Sequence, residues 1–165
     1  MTSTILTLIL LLIGFWAPIA EYDTANKPKW RQIILMRSTR EDVERLLGRS
    51  KYRGFAASYK VEDGMLNVQY YPFNFCTPAP DADLRVSQWT VVEMTYAPDN
   101  PPKFAHLKLD LRKFRKVRES VDAPELVSYL SDKDGVDYTF QSDKTLHTIR
   151  YFPGKQFERL RCKEQ

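Results

Sequence analysis

The densest group of charged side chains in the sequence is a basic run at residues 112–118, RKFRKVR. Cations at this density suit phosphate groups, acidic glycans or an anionic membrane surface, with nucleic acid the least expected partner. The run also fits a short helical turn that packs Phe114 and Val117 inward and leaves its cations in water, because charge runs are usually solvated faces. The candidate anion-binding residues are Arg112, Lys113, Arg115, Lys116 and Arg118.

The two cysteines, Cys76 and Cys162, lie 86 residues apart and form no C-x-x-C motif. In an oxidising compartment, two cysteines predict one disulfide, worth about 4 kcal/mol in the loop-entropy description. It would tie the Pro-rich loop around Cys76 to the C-terminal tail. Two unpaired thiols are the alternative. No metal site is expected, because the cysteines and the histidines, His106 and His147, show no ligand spacing.

The sequence contains no nucleophile elbow, phosphate loop, dinucleotide fingerprint or metalloprotease motif. Asp63, Asp134 and Asp143 all fall in predicted turns, where aspartate is expected for its backbone hydrogen bonds. His147 has no assignable nucleophile or orienting carboxylate, so a structural role is expected for it. We therefore predict no catalytic residue and no cofactor.

A Pro-rich loop at residues 72–85 carries aromatic side chains close to Cys76. Loops carry binding residues more often than the elements they connect, and prolines limit the entropy lost on binding. Phe73 and Phe75 are therefore predicted to form a contact loop.

The first 20 residues carry no charged side chain, and residues 5–20 form an apolar run. As a helix, this run would reach about 24 Å, short of the roughly 30 Å of a hydrocarbon core. That length favours a signal peptide, with a retained membrane anchor and a buried or non-translated start as alternatives. We predict an exported protein, periplasmic or secreted, that contacts a membrane only through residues 5–20 if they are uncleaved.

A capped helix is predicted at about 39–47. Either Ser38 with Glu41 or Thr39 with Asp42 can form a capping box, and Gly48 supplies a left-handed stop. The apolar residues that share one helical face are Val43, Leu46 and Leu47.

Alternating apolar and polar residues predict six strands, at about 55–61, 66–70, 87–97, 126–131, 135–141 and 145–152. The predicted fold class is α+β: a mostly antiparallel sheet of about six strands, arranged as two three-strand meanders. Each meander is preceded by a short helix or helical turn. The predicted organisation is a leader at 1–20, a linker at 21–32 and one domain at 33–165, with a plausible internal duplication of 33–97 and 104–153.

The stretch from Ser38 to Gly48, STREDVERLLG, resembles a capped helix that precedes antiparallel strands in small exported bacterial proteins of uncharacterised function. These proteins also carry Tyr-rich hairpins and a terminal LRC, as at residues 160–162. A weaker local similarity is to the small lipoprotein of the outer-membrane barrel-assembly machine. This chain has no lipid-bearing cysteine after the leader, so the barrel-assembly role is not carried over.

These features predict a non-enzymatic binding or assembly module of the bacterial cell envelope, whose partner is an envelope protein or an anionic polymer. One alternative is a small extracytoplasmic hydrolase that uses His147 or His106 with a nearby carboxylate. The other is a secreted structural or stress-related domain without a specific ligand.

Overall fold

The computed structural model describes residues 28–52, 54–73, 84–118 and 125–162. Within them, a seven-stranded antiparallel sheet carries the fold, with one α-helix and four short 3-10 helices. The strands are β1 (Ala56–Val61), β2 (Gly64–Tyr70), β3 (Val91–Pro98), β4 (Arg115–Arg118), β5 (Val127–Ser131), β6 (Val136–Phe140) and β7 (Leu146–Tyr151). The α-helix, α1, spans Arg40–Leu47, and the 3-10 helices span Lys29–Gln32, Phe104–Leu107, Leu111–Lys113 and Lys155–Leu160.

The strands lie in the order β1-β2-β3-β7-β6-β5-β4. This confirms an antiparallel, sheet-dominated fold with few helices. The finer prediction of two three-strand meanders is not what the sheet shows, because three strands lie on one side of the β3–β7 junction and four on the other. The junction is short: Met94, Thr95 and Tyr96 pair with Tyr151, Arg150 and Ile149.

Helix α1 begins at the predicted capping box. Thr39 is the N-cap, its backbone N–H donates to the Asp42 carboxylate at 2.9 Å, and its hydroxyl accepts from the Asp42 N–H. Gly48 ends the helix with a φ of +88°, a conformation that glycine adopts without strain. The apolar face of α1 packs on the sheet, where Val43 is fully buried.

The β1–β2 hairpin supplies half of the buried residues of the main core. Alternate residues of both strands point under α1, as the predicted period of two requires. The buried residues contributed by the two strands are Ala57, Tyr59, Val61, Leu66, Val68 and Tyr70.

Strand β3 departs from the predicted alternation at its start. Strict alternation would place Val92 on the same face as Met94 and Tyr96, but Val92 is half-buried and Val91 is fully buried. A register shift in β2 just before Tyr70 pairs that residue with Val91, so the valine enters the core.

Residues 115–118 form an edge strand, whereas a helical turn was predicted for the basic run. Asp110 does cap a short turn, because its side chain accepts from the Arg112 backbone N–H, but the turn ends at Lys113. Side chains three apart lie on the same side of a helix but on opposite faces of a strand. Phe114 and Val117 therefore do not share a face.

The predicted linker, 21–32, lies mostly outside the described residues, but its last residues are part of the fold. Trp30, in the 3-10 helix Lys29–Gln32, is 3 % exposed and belongs to the main core. Its ring stacks on Tyr96 with 4.7 Å between centroids, and its indole N–H donates to the Asp63 carboxylate at 3.3 Å.

The predicted leader, residues 1–20, lies outside the described residues. In the part of the chain that the structure does describe, no helix is long and apolar enough to cross a membrane.

Candidate functional site

An open groove of about 630 Å³ lies between the segment that begins at Trp30 and the centre of the sheet. We call it the aromatic groove. Three kinds of element form it: the segment 30–35, strands β3, β6 and β7, and two 3-10 helices. The residues that line it are Trp30, Arg31, Ile33, Ile34, Leu35, Met94, Leu107, Tyr138, Ile149, Tyr151 and Phe157.

The register of the sheet builds the floor of the groove. Tyr138 of β6 lies opposite Ile149 of β7, and Tyr151 of β7 lies opposite Met94 of β3. Because side chains alternate along a strand, these four residues share one face of the sheet. Tyr138, Ile149 and Tyr151 are only half-buried, so the groove leaves apolar floor open to solvent.

Trp30 forms one wall of the groove and links it to the core. Its ring lies 6.3 Å from that of Tyr151, and the Arg31 guanidinium sits over it at 5.4 Å. Arg31 is exposed, and Ile34 on the same rim is 54 % exposed. An isoleucine this exposed beside half-buried aromatic rings is an apolar contact surface with a cation at its edge.

The two groove tyrosines are neutral hydrogen-bonding groups. Burial raises the pKa of Tyr151 to about 12, with a further rise from Tyr138 and an opposing effect of Arg31. Burial also raises the pKa of Tyr138. Both phenols therefore stay protonated far above physiological pH, and neither is suited to act as a base or a nucleophile. This combination of apolar wall, hydroxyl groups and rim cation is suited to binding.

Strand β6 buries two polar residues, and of its apolar residues Val136, Tyr138 and Phe140 only Phe140 is buried. Asp137 and Thr139 are 5 % and 8 % exposed, whereas Tyr138 is half-buried in the groove. The buried polar groups have partners, as burial requires. The Arg150 guanidinium donates to Asp137 at 3.2 Å, and the Ser128 and Thr139 hydroxyls lie 2.8 Å apart.

The basic run is divided by the fold. Arg112 and Lys113 lie in a 3-10 turn, and Arg112 donates to the Asp110 carboxylate at 2.9 Å. Arg115 and Lys116 alternate in β4, so they point to opposite faces, and Arg115 also pairs with Asp132 at 3.6 Å. The structure therefore does not gather these cations on one face. Nothing is described of the side chain of Arg118, and anion binding by the run stays a prediction.

Cys76 and Phe75 lie outside the described residues, so the disulfide and half of the contact loop stay predictions. Phe73 is described: it is half-buried and meets Tyr71 edge-on with 5.8 Å between ring centroids. Cys162 is half-buried and follows Arg161, which forms a β-bridge with Leu84.

Neither histidine lies in the aromatic groove. His106 and His147 are both exposed, and neither imidazole makes a hydrogen bond or an ion pair with the described residues. The turn role predicted for aspartates holds for Asp143, whose carboxylate accepts from the Thr145 backbone N–H at 2.9 Å. Its pKa is lowered chiefly by the bond from Lys103. Among the described residues, no group of three or more potential metal-ligating side chains comes together.

The aromatic groove was not predicted from the sequence. Trp30 is an isolated aromatic residue in a polar stretch. Tyr138 lies in the predicted strand 135–141, where alternation does not tell which face stays open to solvent. A tryptophan flanked by cations just before the first apolar element was the one local signal. Comparisons with protein-family models, curated proteins and solved structures gave no match for this chain.

Proposed function

We propose that this chain is a non-enzymatic binding module of the bacterial cell envelope, and that it holds a partner protein through the aromatic groove. The observation that carries the proposal is the open apolar floor of Tyr138, Ile149 and Tyr151 beside the exposed Ile34. Tyrosine, tryptophan and arginine dominate the energetics of protein interfaces, and all three residue types meet in this groove.

The partner chemistry follows from the lining. The walls are apolar, the polar groups are two neutral hydroxyls, and the rim carries one cation, Arg31. A partner that inserts an apolar side chain or a short apolar segment would bury the floor, and each Å² removed from water contributes about 25 cal/mol. The envelope location rests on two sequence predictions, the leader at 1–20 and the Cys76–Cys162 disulfide.

The proposal is tested by crosslinking in cells. A photoreactive amino acid replaces Ile34 in the full-length chain, which is expressed in an exporting bacterium. The same amino acid replaces Met65, a 38 %-exposed apolar residue of β2 outside the groove, as the matched control. We expect a discrete adduct from position 34 and none from position 65.

A groove variant makes the crosslink specific. Tyr138→Ala removes part of the groove floor and leaves the crosslinking position unchanged. It should reduce the amount of adduct at least tenfold. The reason is that truncating an aromatic hot-spot residue of an interface costs about 2 kcal/mol or more, roughly 30-fold in affinity. An adduct that forms equally from positions 34 and 65, or one that Tyr138→Ala leaves unchanged in a folded protein, contradicts the proposal.

A further inference from the structure

Strand β1 is an edge of the sheet, and its pairing shows which of its backbone groups lack a strand partner. Phe55 accepts from the Tyr70 backbone N–H, and the register continues with Ala57 opposite Val68 and Tyr59 opposite Leu66. In an antiparallel pair, alternate residues exchange both hydrogen bonds with the partner strand, and those between them point both groups away. The N–H and C=O groups of Ala56, Ser58 and Lys60 therefore point out of the sheet. Within the described residues, no strand pairs with this side of β1.

A second groove, of about 630 Å³, runs along this free edge; we call it the edge groove. β1 forms one side together with Asn67 and Gln69 of β2, and the segment that follows α1 forms the other. It shares no lining residue with the aromatic groove. The residues that line it are Leu47, Arg49, Ser50, Lys51, Tyr52, Ala56, Ala57, Ser58, Tyr59, Lys60, Asn67 and Gln69.

The edge groove is cationic. Arg49 and Lys51 are exposed, and within the described residues neither has a carboxylate partner. Lys60 is bound to Asp99 at 2.5 Å, so its charge is largely compensated. These two cations beside a row of backbone groups without a strand partner favour an anionic occupant. Attraction between opposite charges speeds association, and repulsion between like charges disfavours a cationic partner.

The other edge of the sheet is protected in a way that β1 is not. Strand β4 carries Arg115 and Lys116 on its two faces, and charged residues on a short edge strand discourage pairing. Strand β1 is longer, and its one charged residue, Lys60, is paired with Asp99. It opens with Ala56, Ala57 and Ser58, whose small side chains leave the backbone accessible. The sheet therefore has one edge, at β4, where charged side chains discourage pairing, and one edge, at β1, that is open to pairing.

We propose that β1 binds an extended acidic segment of a partner protein, which adds to the sheet as an eighth strand along the edge groove. Main-chain hydrogen bonds to Ala56, Ser58 and Lys60 hold the segment, and its carboxylates meet Arg49 and Lys51. A second copy of this chain is a poorer occupant, because it would bring the same cations to the interface. This site goes beyond the proposed function, since it takes a different occupant at a different surface.

The test uses the full-length chain and a fluorescent eight-residue peptide of alternating valine and glutamate, with a lysine-for-glutamate peptide as the charge control. Fluorescence anisotropy measures peptide binding, and amide hydrogen exchange shows which backbone N–H groups of β1 the peptide protects. We expect the acidic peptide to bind at least tenfold more tightly than the basic one. We also expect it to slow exchange at the amides of Ala56, Ser58 and Lys60, while those of Ala57, Tyr59 and Val61 are already slow without peptide.

Two kinds of variant separate backbone pairing from charge. Ser58→Pro removes one outward N–H and leaves the β1–β2 hydrogen bonds intact, a substitution that edge strands tolerate. It should weaken binding of the acidic peptide at least tenfold, whereas Ser58→Ala, which removes only the hydroxyl that donates to Asn67, should not. Lys51→Glu changes an exposed side chain outside the sheet, so it should leave the fold intact. It should also weaken binding of the acidic peptide, and it tests the proposal even if the proline variant fails to fold.

Three results would overturn the proposal: no binding of the acidic peptide, equal binding of both peptides, or equal binding by folded Ser58→Pro and Ser58→Ala. A concentration-dependent dimer that already protects the amides of Ala56 and Ser58 would also overturn it, because the occupant would then be a second copy. None of these results bears on the aromatic groove, so the two proposals fail independently.

Discussion

The guanidinium of Arg150 in β7 lies 3.2 Å from the carboxylate of Asp137 in β6, which is 7 % exposed at its side chain. The same guanidinium reaches Glu93 of β3 at 3.9 Å, and Glu93 accepts from the Gln69 amide of β2 at 3.0 Å. The contact between Arg150 and Glu93 crosses the junction at which β3 meets β7, where only three residue pairs form the ladder, and the other two contacts extend it to β6 and β2. The Arg150 guanidinium therefore connects strands that lie on the two sides of the β3–β7 junction.

Arg150→Met should lower the free energy of unfolding by about 2–3 kcal/mol, because it removes a charged hydrogen bond and leaves a buried carboxylate with less compensation. The control is Arg115→Met, which breaks an exposed pair with Asp132 and should cost under about 1 kcal/mol. Urea denaturation of both variants measures the difference. Equal losses would mean that Arg150 does not hold the junction.

Glu93 should make stability fall as the pH rises. Burial raises the pKa of Glu93, and Arg150 only partly opposes the rise. A carboxyl whose pKa is higher in the folded state favours folding when protonated, so that stability is present below the ordinary glutamate pKa and is lost as the pH rises through the raised one. Glu93→Gln should therefore be more stable than the natural chain at neutral pH and equal to it in acid. Denaturation across pH, with exposed Glu62→Gln as control, tests this sign.

Thr39→Ala should destabilise the protein by about 1 kcal/mol, the usual cost of losing an N-cap. The cap also carries a pH dependence, because the pKa of Asp42 is lowered, first by the Thr39 backbone N–H and then by Arg45. The stability that the Asp42 carboxylate contributes is complete above the ordinary aspartate pKa, and it is lost as the pH falls through the lowered pKa of Asp42. Ser38→Ala, beside the cap but outside the box, should cost less. Thermal melts that rank these variants the other way would assign the cap to Ser38.

Trp30→Ala should cost about 3–5 kcal/mol, as expected for a large aromatic residue removed from a core. Trp30 is 3 % exposed and stacks on Tyr96, so its loss leaves a cavity beneath the first 3-10 helix. Tyr52→Ala, at a residue that is 65 % exposed, is the control and should have a small effect. A mild effect of Trp30→Ala would place the start of the stable domain after this helix.

The disulfide prediction is checked by intact-mass analysis of the native protein without reductant. We expect a mass that lacks residues 1–20 and two hydrogens. The C-terminal tail lies next to the end of the Pro-rich loop, since the Arg85 N–H donates to the Leu160 carbonyl at 2.6 Å. A full-length, fully reduced mass would contradict both export and the bridge.

The elements set by local signals were predictable from the sequence. The capping box, the apolar face and Gly48 located α1 to within a residue, and alternation located β1 and β2 closely. The prediction of a helical turn for the basic run was wrong, because the spacing of Phe114 and Val117 fits a helix as well as it fits an edge strand. The choice between the two depends on pairing with β5, which no local pattern encodes.

The candidate site was less predictable, because long-range pairing creates it. Tyr138 lines the groove only since β6 pairs with β7 in a register that places it opposite Ile149. Alternation assigns residues to two faces but does not say which face is covered. Asp137 is buried although it is charged, and its partner Arg150 lies 13 residues away on another strand.

The β3–β7 junction also sets an order of events on the ribosome. Among the described strands, every other ladder joins strands that are consecutive in the chain, but β7 begins 48 residues after β3 ends. At typical elongation rates, β3 emerges about 2–10 s before its second neighbour exists. During that interval β3, already paired with β2, exposes its other edge to solvent, and this edge is the one that a holding chaperone would need to shield.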